Sequence, residues 1–359
     1  MRGLIPALPL NSDASHIVAP QSLYPFLLAA RAQTHPLLVV TSSSRSSEDL
    51  VNELRELHDN VLEFPAWETL PHERLSPRSD TVARRIQTLY ALKDDHTTHP
   101  IVVTPVRGAI HRMISQLGKS PLLNLEIGKE QSLDELVRHL SSLAYSRTDL
   151  VERRGEFAVR GGIVDLFLPL SHHPIRIDFF GDEIEDLSYF EVSDQRTFQT
   201  VVGSVAIYPC REFLLSNETK HRALEIADEY PAAAEMLGKI AEGITFEGME
   251  SLIPLLIDQT ESLLTRMPTN TQIVFIDEQR IKSRAADLLA TNEEFLNASW
   301  SNAALGATAP IHDGAGTYMD WQELFDEITK AGMSSYELSP FGTDLDPETT
   351  FLEFAAIDP

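Results

Sequence analysis

Short apolar runs alternate with amphipathic stretches along the first third of the chain. Residues 37–40 form a continuous apolar run of strand length, and leucines then recur at helical spacing over residues 50–57. We expect Ser46 or Ser47 to cap this helix. A second apolar run opens the stretch 100–114 and continues into another helical pattern. Strands that alternate with helices predict an α/β fold with a parallel sheet.

The pattern changes at about residue 120. Residues 121–206 contain one predicted helix, with Ser132 as its expected cap and Glu135 completing a capping box, and then several strand patterns with little helix between them. We interpret this stretch as an α+β module. Helical periodicity returns over residues 217–266, and another apolar strand run follows at residues 272–276.

One strand pattern in this module carries charge in an unusual arrangement. In residues 175–180, IRIDFF, alternate side chains point to opposite faces, so the two isoleucines and the first phenylalanine form a core face. Arg176, Asp178 and Phe180 lie on the other face. An aromatic ring beside an arginine is typical of binding hot spots. Arg160 ends the preceding strand, before a pair of glycines, and is expected on the same surface.

An ordinary solvent-facing hairpin accounts for the same pattern. Arg176 and Asp178 would then pair on an exposed face, a contact worth at most about 1 kcal/mol. Phe180 would fold under a neighbouring loop, and Arg160 would be a turn residue. The residues alone leave both interpretations open.

Length and charge narrow the choice of function. The chain has 359 residues, which is long for one domain, and a formal net charge of −25. This excess of acid disfavours nucleic-acid binding, because affinity for DNA depends largely on Lys and Arg at the phosphates. A single cysteine, Cys210, excludes an internal disulfide and a cysteine-rich zinc site, and it fits a reducing, cytoplasmic compartment. With no apolar run of about 20 residues, we expect no membrane span and no membrane partner.

Motifs for catalysis and cofactor binding are missing. The run at residues 272–276 ends in Asp277 and Glu278, which is the form of a Walker B strand. The phosphate loop that would accompany it, G-x-x-x-x-G-K-[ST], is absent from the sequence. We therefore interpret the two acids as helix-capping residues, and we expect no cofactor, no metal ion and no catalytic residue. An ATP-dependent helicase or nucleotide hydrolase half with an unconventional phosphate loop is the alternative, and a DNA-binding module is a third hypothesis.

Long stretches of the chain resemble a known family. They closely resemble the N-terminal part of the bacterial transcription-repair coupling factors, which in turn resembles the first domains of the excision-repair protein UvrB. The likeness extends from about residue 35 to residue 330. The stretches that carry it are FPAWETLPHERLSPRSDTVARRIQTLYAL (64–92), GEFAVRGGIVDLFLP (155–169) and IRIDFFGDEIEDLSYFEVSDQRT (175–197).

The resemblance implies a domain arrangement. It implies a degenerate, P-loop-like helicase α/β domain in two halves, residues 1–120 and residues 207–359 with their C-terminal tail, around a smaller α+β domain inserted at residues 121–206, as in UvrB. The Walker A loop of UvrB is lost in the coupling factors, and it is missing here as well. The first resembling stretch passes directly into a helix, which leaves no room for the DNA-clamping hairpin of UvrB.

The resemblance also implies a partner. In both families the inserted domain binds UvrA, the damage-recognition ATPase, and the implicated positions fall on Arg160, Arg176 and Phe180, with Asp178 and Glu183 nearby. The module is therefore predicted to be a non-catalytic adaptor that recruits UvrA to transcription complexes stalled at DNA damage, in nucleotide excision repair. RNA polymerase and DNA would bind domains further along the intact factor. We expect alanine at Arg176 or at Phe180 to weaken UvrA binding without unfolding the module.

Overall fold

The computed structural model describes residues 15–70, 75–93, 98–304, 317–341 and 351–353, and of residues 299–304 and 351–353 it describes the backbone alone. The chain forms two compact units. Unit 1 comprises residues 1–67, 88–115 and 259–359, and unit 2 comprises residues 68–87 and 116–258.

The elements of the first third alternate between strand and helix as the sequence pattern predicts. In chain order they are β1 (His16–Val18), a 3-10 helix (Gln21–Leu23), α1 (Tyr24–Arg31), β2 (Leu37–Thr41), α2 (Ser44–Arg55), β3 (Val61–Glu63), α3 (Ser79–Ala91), β4 (Ile101–Pro105), α4 (Val106–Ile110) and β5 (Met113–Ile114).

The middle of the chain is dominated by strands, and helices return after it. The strand-rich part contains β6 (Leu123–Leu125), α5 (Leu133–Ser142), β7 (Ser146–Arg147), β8 (Glu156–Arg160), β9 (Ile163–Leu166), β10 (Ile175–Phe180), β11 (Glu183–Phe190), β12 (Thr197–Thr200) and β13 (Val205–Ile207). It is followed by α6 (Asn217–Ile226), a 3-10 helix (Pro231–Ala233), α7 (Ala234–Ala241), a 3-10 helix (Met249–Leu252), α8 (Ile253–Leu256), β14 (Thr260–Glu261), a 3-10 helix (Leu263–Arg266), β15 (Gln272–Ile276), α9 (Glu278–Ala304), α10 (Trp321–Lys330), β16 (Ser334–Ser339) and β17 (Phe351–Glu353).

Unit 1 is built on a parallel sheet. Its seven strands have the order β17-β1-β16-β15-β2-β4-β3, and every neighbouring pair is parallel. All five residues of β2 and all five of β4 are buried. Continuous apolar strands of this kind are typical of parallel sheets, whose two faces are both covered. The predicted α/β fold with a parallel sheet is confirmed.

The start of α2 corrects one detail of the sequence analysis. The N-cap is Ser43, whose side chain accepts a hydrogen bond from the backbone N–H of Ser46 at 3.2 Å. Ser46 and Ser47, the predicted caps, lie inside the helix. The extended backbone of Ser43 places its hydroxyl over the open amides of the first turn, and Ser47 instead turns its hydroxyl to that of Thr41, 2.7 Å away.

Unit 2 is built on a second sheet, of six strands in the order β12-β11-β10-β9-β8-β7. The pairings are antiparallel except that of β7 with β8, and a separate antiparallel pair joins β13 to β6. Leu136 and Leu140 of α5 pack with Ile175 and Ile177 of β10 in one buried cluster. This confirms the inserted α+β module. Ser132 is the N-cap of α5 as predicted, but its side chain makes no capping hydrogen bond, so the expected capping box is absent.

Unit 2 is larger than the predicted insertion, and contacts between its added segments explain why. It includes residues 68–87 and 207–258 as well as the predicted segment. Arg85, in the part of α3 that belongs to this unit, forms an ion pair with Glu212 at 2.5 Å, and both side chains are fully buried. Ser76 donates a hydrogen bond to Glu250 at 2.5 Å. The predicted three-segment division of the chain stays a prediction. Among the described residues no helix is both long and apolar enough to cross a membrane.

Candidate partner-binding face

The pairing register of unit 2 places the charged side chains of its large sheet on one face. Arg160 of β8 is paired with Ile163 of β9, Ile163 with Asp178 of β10, and Asp178 with Asp186 of β11. Directly paired residues of antiparallel strands project from the same face of the sheet. These four residues therefore form one row across it. We call this side, opposite the cluster that contains Leu136 and Leu140, the outer face.

Two further pairings complete the outer face. Asp165 of β9 is paired with Arg176 of β10, and Arg176 with Ser188 of β11, which makes a second row beside the first. At the tip of the β10–β11 hairpin, Phe180 is paired with Glu183. All five residues that the resemblance singled out thus lie on the outer face, and for Arg176, Asp178 and Phe180 the alternation in β10 predicted it.

Phe180 is the most open aromatic of this face. Its side chain is 76% exposed, at the end of β10 and beside Gly181, which takes a left-handed conformation with φ of 62°. No loop of the described residues covers it, so the hypothesis that Phe180 folds under a neighbouring loop is wrong. An exposed large aromatic side chain on a strand end is available for contact with another molecule.

Arg176 is held by the sheet itself. Its Nε and Nη2 donate to the two carboxylate oxygens of Asp165 at 2.7 and 2.9 Å, and Nη1 donates to the carbonyl of Gln195 at 3.2 Å. The guanidinium lies 5.0 Å from the centre of the Phe190 ring. The Arg176 side chain is 20% exposed and that of Asp165 is 2% exposed. The pair predicted between Arg176 and Asp178 is therefore wrong, because the partner of Arg176 is Asp165.

This arrangement changes what an alanine at Arg176 would do. The hydrogen bond to Asp165 raises the pKa of Arg176, which reflects a guanidinium stabilised by that carboxylate. Removing Arg176 would leave a buried carboxylate without its partner, which destabilises the fold. We therefore expect Arg176→Ala to destabilise the module as well as to remove a residue of the face, so its effect on binding could not be interpreted alone.

Arg160 is open to solvent by comparison. It ends β8, and the hairpin to β9 turns at Gly161, whose φ of 61° is readily adopted by glycine. Its Nη2 donates to the backbone carbonyl of Asp149 at 2.6 Å. The other N–H groups of the guanidinium make no hydrogen bond to the described residues, so they are available to a carboxylate or carbonyl of another molecule.

Asp178 and Glu183 complete the set of residues implied by the resemblance. Asp178 is half-buried, and its pKa is raised by that burial and then by the carboxylate of Asp186 across the strand pair. Glu183 is exposed, and its backbone bridges to that of Glu130. Glu183 is the direct register partner of Phe180, and Asp178 lies two residues before Phe180 on the same face.

Sequence reasoning missed the small second core under the outer face. Val151, Ala158, Phe167 and Phe190 form a buried cluster there, separate from the main core of unit 2. Asp165 lies in the middle of the apolar run at residues 163–168. An acid at such a position indicates a buried carboxylate that needs a cationic partner, which the sequence analysis did not use. The outer face is therefore covered around Arg176 and open around Phe180.

The Walker-like strand of unit 1 has a structural role. Asp277 has a left-handed backbone with φ of 61°, and its carboxylate accepts a hydrogen bond from the backbone N–H of Arg280 at 3.3 Å, as expected of a residue that caps α9. Glu278 is the first residue of α9, and its N–H donates to Glu337 at 3.1 Å. In the described part of the chain no group of three or more His, Cys, Asp or Glu side chains is placed to hold a metal ion.

The connection between β2 and α2 is also too short for a phosphate loop. Only Ser42 and Ser43 separate the two elements. A Walker A loop contains eight residues, whose glycines let backbone amides surround the phosphates. The amide of Ser46 is already bonded to the cap.

Comparison with known proteins agrees with this architecture. Residues 123–213 match the UvrB interaction domain family. The transcription-repair-coupling factor of Mycobacterium bovis is 44% identical over 318 residues, which cover 83% of this chain and 26% of that protein. This chain is homologous to the N-terminal region of the transcription-repair-coupling factors.

More distant coupling factors show the same likeness. That of Myxococcus xanthus is 34% identical over 247 residues, covering 65% of this chain and 20% of the relative. That of Escherichia coli is 27% identical over 318 residues, covering 84% of this chain and 26% of the relative. The chain thus spans about a quarter of the length of the coupling factors it matches. The UvrB interaction domain contains β6 to β13, and with them the whole outer face.

Proposed function

We propose that this chain is a non-catalytic adaptor module that binds UvrA through the outer face of its UvrB interaction domain. In the intact factor this contact would recruit UvrA to transcription complexes stalled at DNA damage, with RNA polymerase and DNA bound by other domains. The observation that carries the proposal is the position of Phe180, a solvent-exposed aromatic at a hairpin tip inside the matched domain.

Two features of the outer face support a protein partner. Phe180 offers apolar area that is open before any contact, and Arg160 offers N–H donors to the same side of the sheet. Aromatic and arginine side chains are the types most enriched among interface residues that dominate binding energy. The strongly acidic chain is a poor match for a nucleic-acid backbone.

The adaptor role is proposed as non-catalytic because the residues at the Walker-like positions have other roles. The short β2–α2 connection and the capping hydrogen bond of Asp277 support this part of the proposal. We expect calorimetry with Mg-ATP to give no binding isotherm. A clear isotherm would favour the alternative of a nucleotide hydrolase half.

The proposal is tested by titrating purified UvrA with this chain and with Phe180→Ala. A buried hot-spot residue contributes about 2 kcal/mol or more, so we expect the variant to bind roughly thirtyfold more weakly. Phe341→Ala is the matched control, since Phe341 of unit 1 is 77% exposed against 76% for Phe180. Equal affinity of wild type, Phe180→Ala and Phe341→Ala for UvrA would overturn the proposed site.

Arg160→Ala extends the same titration to a second position of the face. Its backbone contact to Asp149 lies at the surface, so the variant is expected to keep the fold and to weaken binding. Arg176 is unsuited to this purpose because it holds the buried carboxylate of Asp165.

A further inference from the structure

The surface around Phe180 is strongly acidic. Phe180 lies at the tip of the β10–β11 hairpin, and the chain continues from it as GDEIED. Five acidic residues of this hairpin lie close to Phe180 in the sequence and in the pairing register. They are Asp178, Asp182, Glu183, Glu185 and Asp186, of which Asp182, Glu183 and Glu185 are exposed to solvent.

Two of these acids face each other across the strand pair. Asp178 of β10 and Asp186 of β11 are direct partners in the register, where Cβ atoms lie about 5 Å apart. The register shifts next to them, and Glu185 is the unpaired residue of this bulge. Like charges directly opposite one another destabilise a sheet. Asp186 accepts one hydrogen bond, from the hydroxyl of Ser188 at 2.6 Å, which neutralises no charge.

The cations of the neighbourhood are engaged elsewhere. Arg176 binds Asp165, Arg160 donates to the carbonyl of Asp149, and Lys129 forms an ion pair with Glu126 at 2.6 Å. Among the described residues no Lys or Arg forms an ion pair with any of the five acids around Phe180. Arg176, two residues from Asp178 on the same face, attracts Asp178 without pairing with it, and the other four acids have no ion-pair partner among the described residues.

We propose that the outer face receives a basic side chain of its partner, an arginine or a lysine, between Asp178 and Asp186, next to an apolar pocket that takes the ring of Phe180. This inference rests on the proposed function and specifies the chemistry of the surface that UvrA would present. Its basis is charge complementarity. A single guanidinium or ammonium reaches both carboxylates, because they are direct cross-strand neighbours.

Neutralising the Asp178–Asp186 pair should have opposite effects on the stability of the free chain and on its affinity for the partner. In the free chain the Asp178–Asp186 pair is repulsive, so neutralising it stabilises the fold. In the complex the same pair binds a cation, so neutralising it weakens affinity. A merely structural acidic pair would change stability and leave affinity unchanged.

The test compares Asp178→Asn/Asp186→Asn with wild type in titrations against UvrA at low and high salt. We expect roughly tenfold weaker binding at low salt, a difference that shrinks as salt screens the charges, together with a raised melting temperature. Asp228→Asn/Glu229→Gln is the matched control, since it removes the same charge from two exposed acids of unit 2 that lie outside the sheet. We expect its affinity to stay within about twofold of wild type.

The outcomes separate this inference from the proposed function. If the double asparagine variant binds UvrA like the control while Phe180→Ala still weakens binding, the cation contact is wrong and the adaptor role stands. If wild type shows no UvrA binding, both are overturned. If Mg²⁺ or Ca²⁺ raises the melting temperature of wild type but not that of the double variant, the acidic pair binds a metal ion and the inference is overturned.

Discussion

The two large sheets of this chain differ in how many of their faces are covered. In the parallel sheet of unit 1, β2 and β4 are buried at every position. In the six-stranded sheet of unit 2, β10 alternates, with Ile175 and Ile177 buried and Arg176 and Asp178 partly open. A strand buried on both faces has no side chain left for a partner. A partner can therefore be contacted by strand side chains only on the sheet with an open face, and the proposed surface lies there.

The open face is itself divided. Around Arg176 it is closed by the ion pair with Asp165 and by the small cluster under Phe190. Around Phe180 it is exposed and acidic. The first part stabilises unit 2, and the second part is the proposed contact.

The largest expected difference in the free energy of unfolding is between an apolar side chain deleted from the parallel sheet and one deleted from the outer face. Leu38→Ala removes a buried side chain from the centre of the parallel sheet and should lower the free energy of unfolding by about 3 kcal/mol. Phe180→Ala removes a larger side chain from the outer face and should cost less than about 0.5 kcal/mol, because the ring is already in water. Urea denaturation of both variants measures the difference. Equal losses would mean that the hairpin tip is not open.

A smaller effect is expected from the covered part of the outer face. Arg176→Ala leaves the carboxylate of Asp165 buried without a partner and should destabilise unit 2 by about 2 kcal/mol. The double variant Arg176→Met/Asp165→Leu should regain part of this loss, since it removes both charges. Thermal and urea unfolding check the pair. Unchanged stability of Arg176→Ala would restore the view of Arg176 as a free contact residue.

The smallest effect concerns the pH dependence of the acidic pair. Burial, and then Asp186, raise the pKa of Asp178 above its ordinary value of 3.8. The folded chain therefore holds this proton more tightly than the unfolded chain, and stability falls as pH rises from 3.8 through the raised pKa. Asp178→Asn should be more stable than wild type by about 0.5 kcal/mol above this window.

The same advantage should disappear below the window, where the carboxyl of wild type is protonated in both states. Unfolding curves of wild type and Asp178→Asn at several pH values between acid and neutral measure it. An advantage of Asp178→Asn that is independent of pH would show that charge repulsion is not its cause.

Much of the architecture could be predicted from the alternation of apolar residues. The continuous run that became β2 predicted a strand of a parallel sheet, and the alternation in β10 predicted which of its residues face the core. The glycine pair after Arg160 predicted the β8–β9 hairpin. Periodicity succeeds here because a strand buried on one face alternates apolar and polar residues, whereas a strand buried on both faces is apolar at successive positions.

The errors share a cause as well. Ser43, Ser46 and Ser47 are all plausible caps, and only the backbone conformation decides which hydroxyl reaches an open amide. Asp178 is two residues from Arg176 on the same strand, but the register places Asp165 of the neighbouring strand beside Arg176. Asp165 therefore binds the guanidinium. Neither choice is visible in spacing along one strand.

By itself the sequence determined the two kinds of sheet, the outer position of Arg160, Arg176, Asp178 and Phe180, and the lack of a Walker A loop, because alternation and motif spacing are local properties of the chain. Only the tertiary structure decided that Arg176 is held by Asp165, that Phe180 is open, and that Asp178 faces Asp186. Those facts depend on strand register and on which chain segments cover the sheet. Both are set by contacts between residues distant in sequence, where no single stretch carries the information.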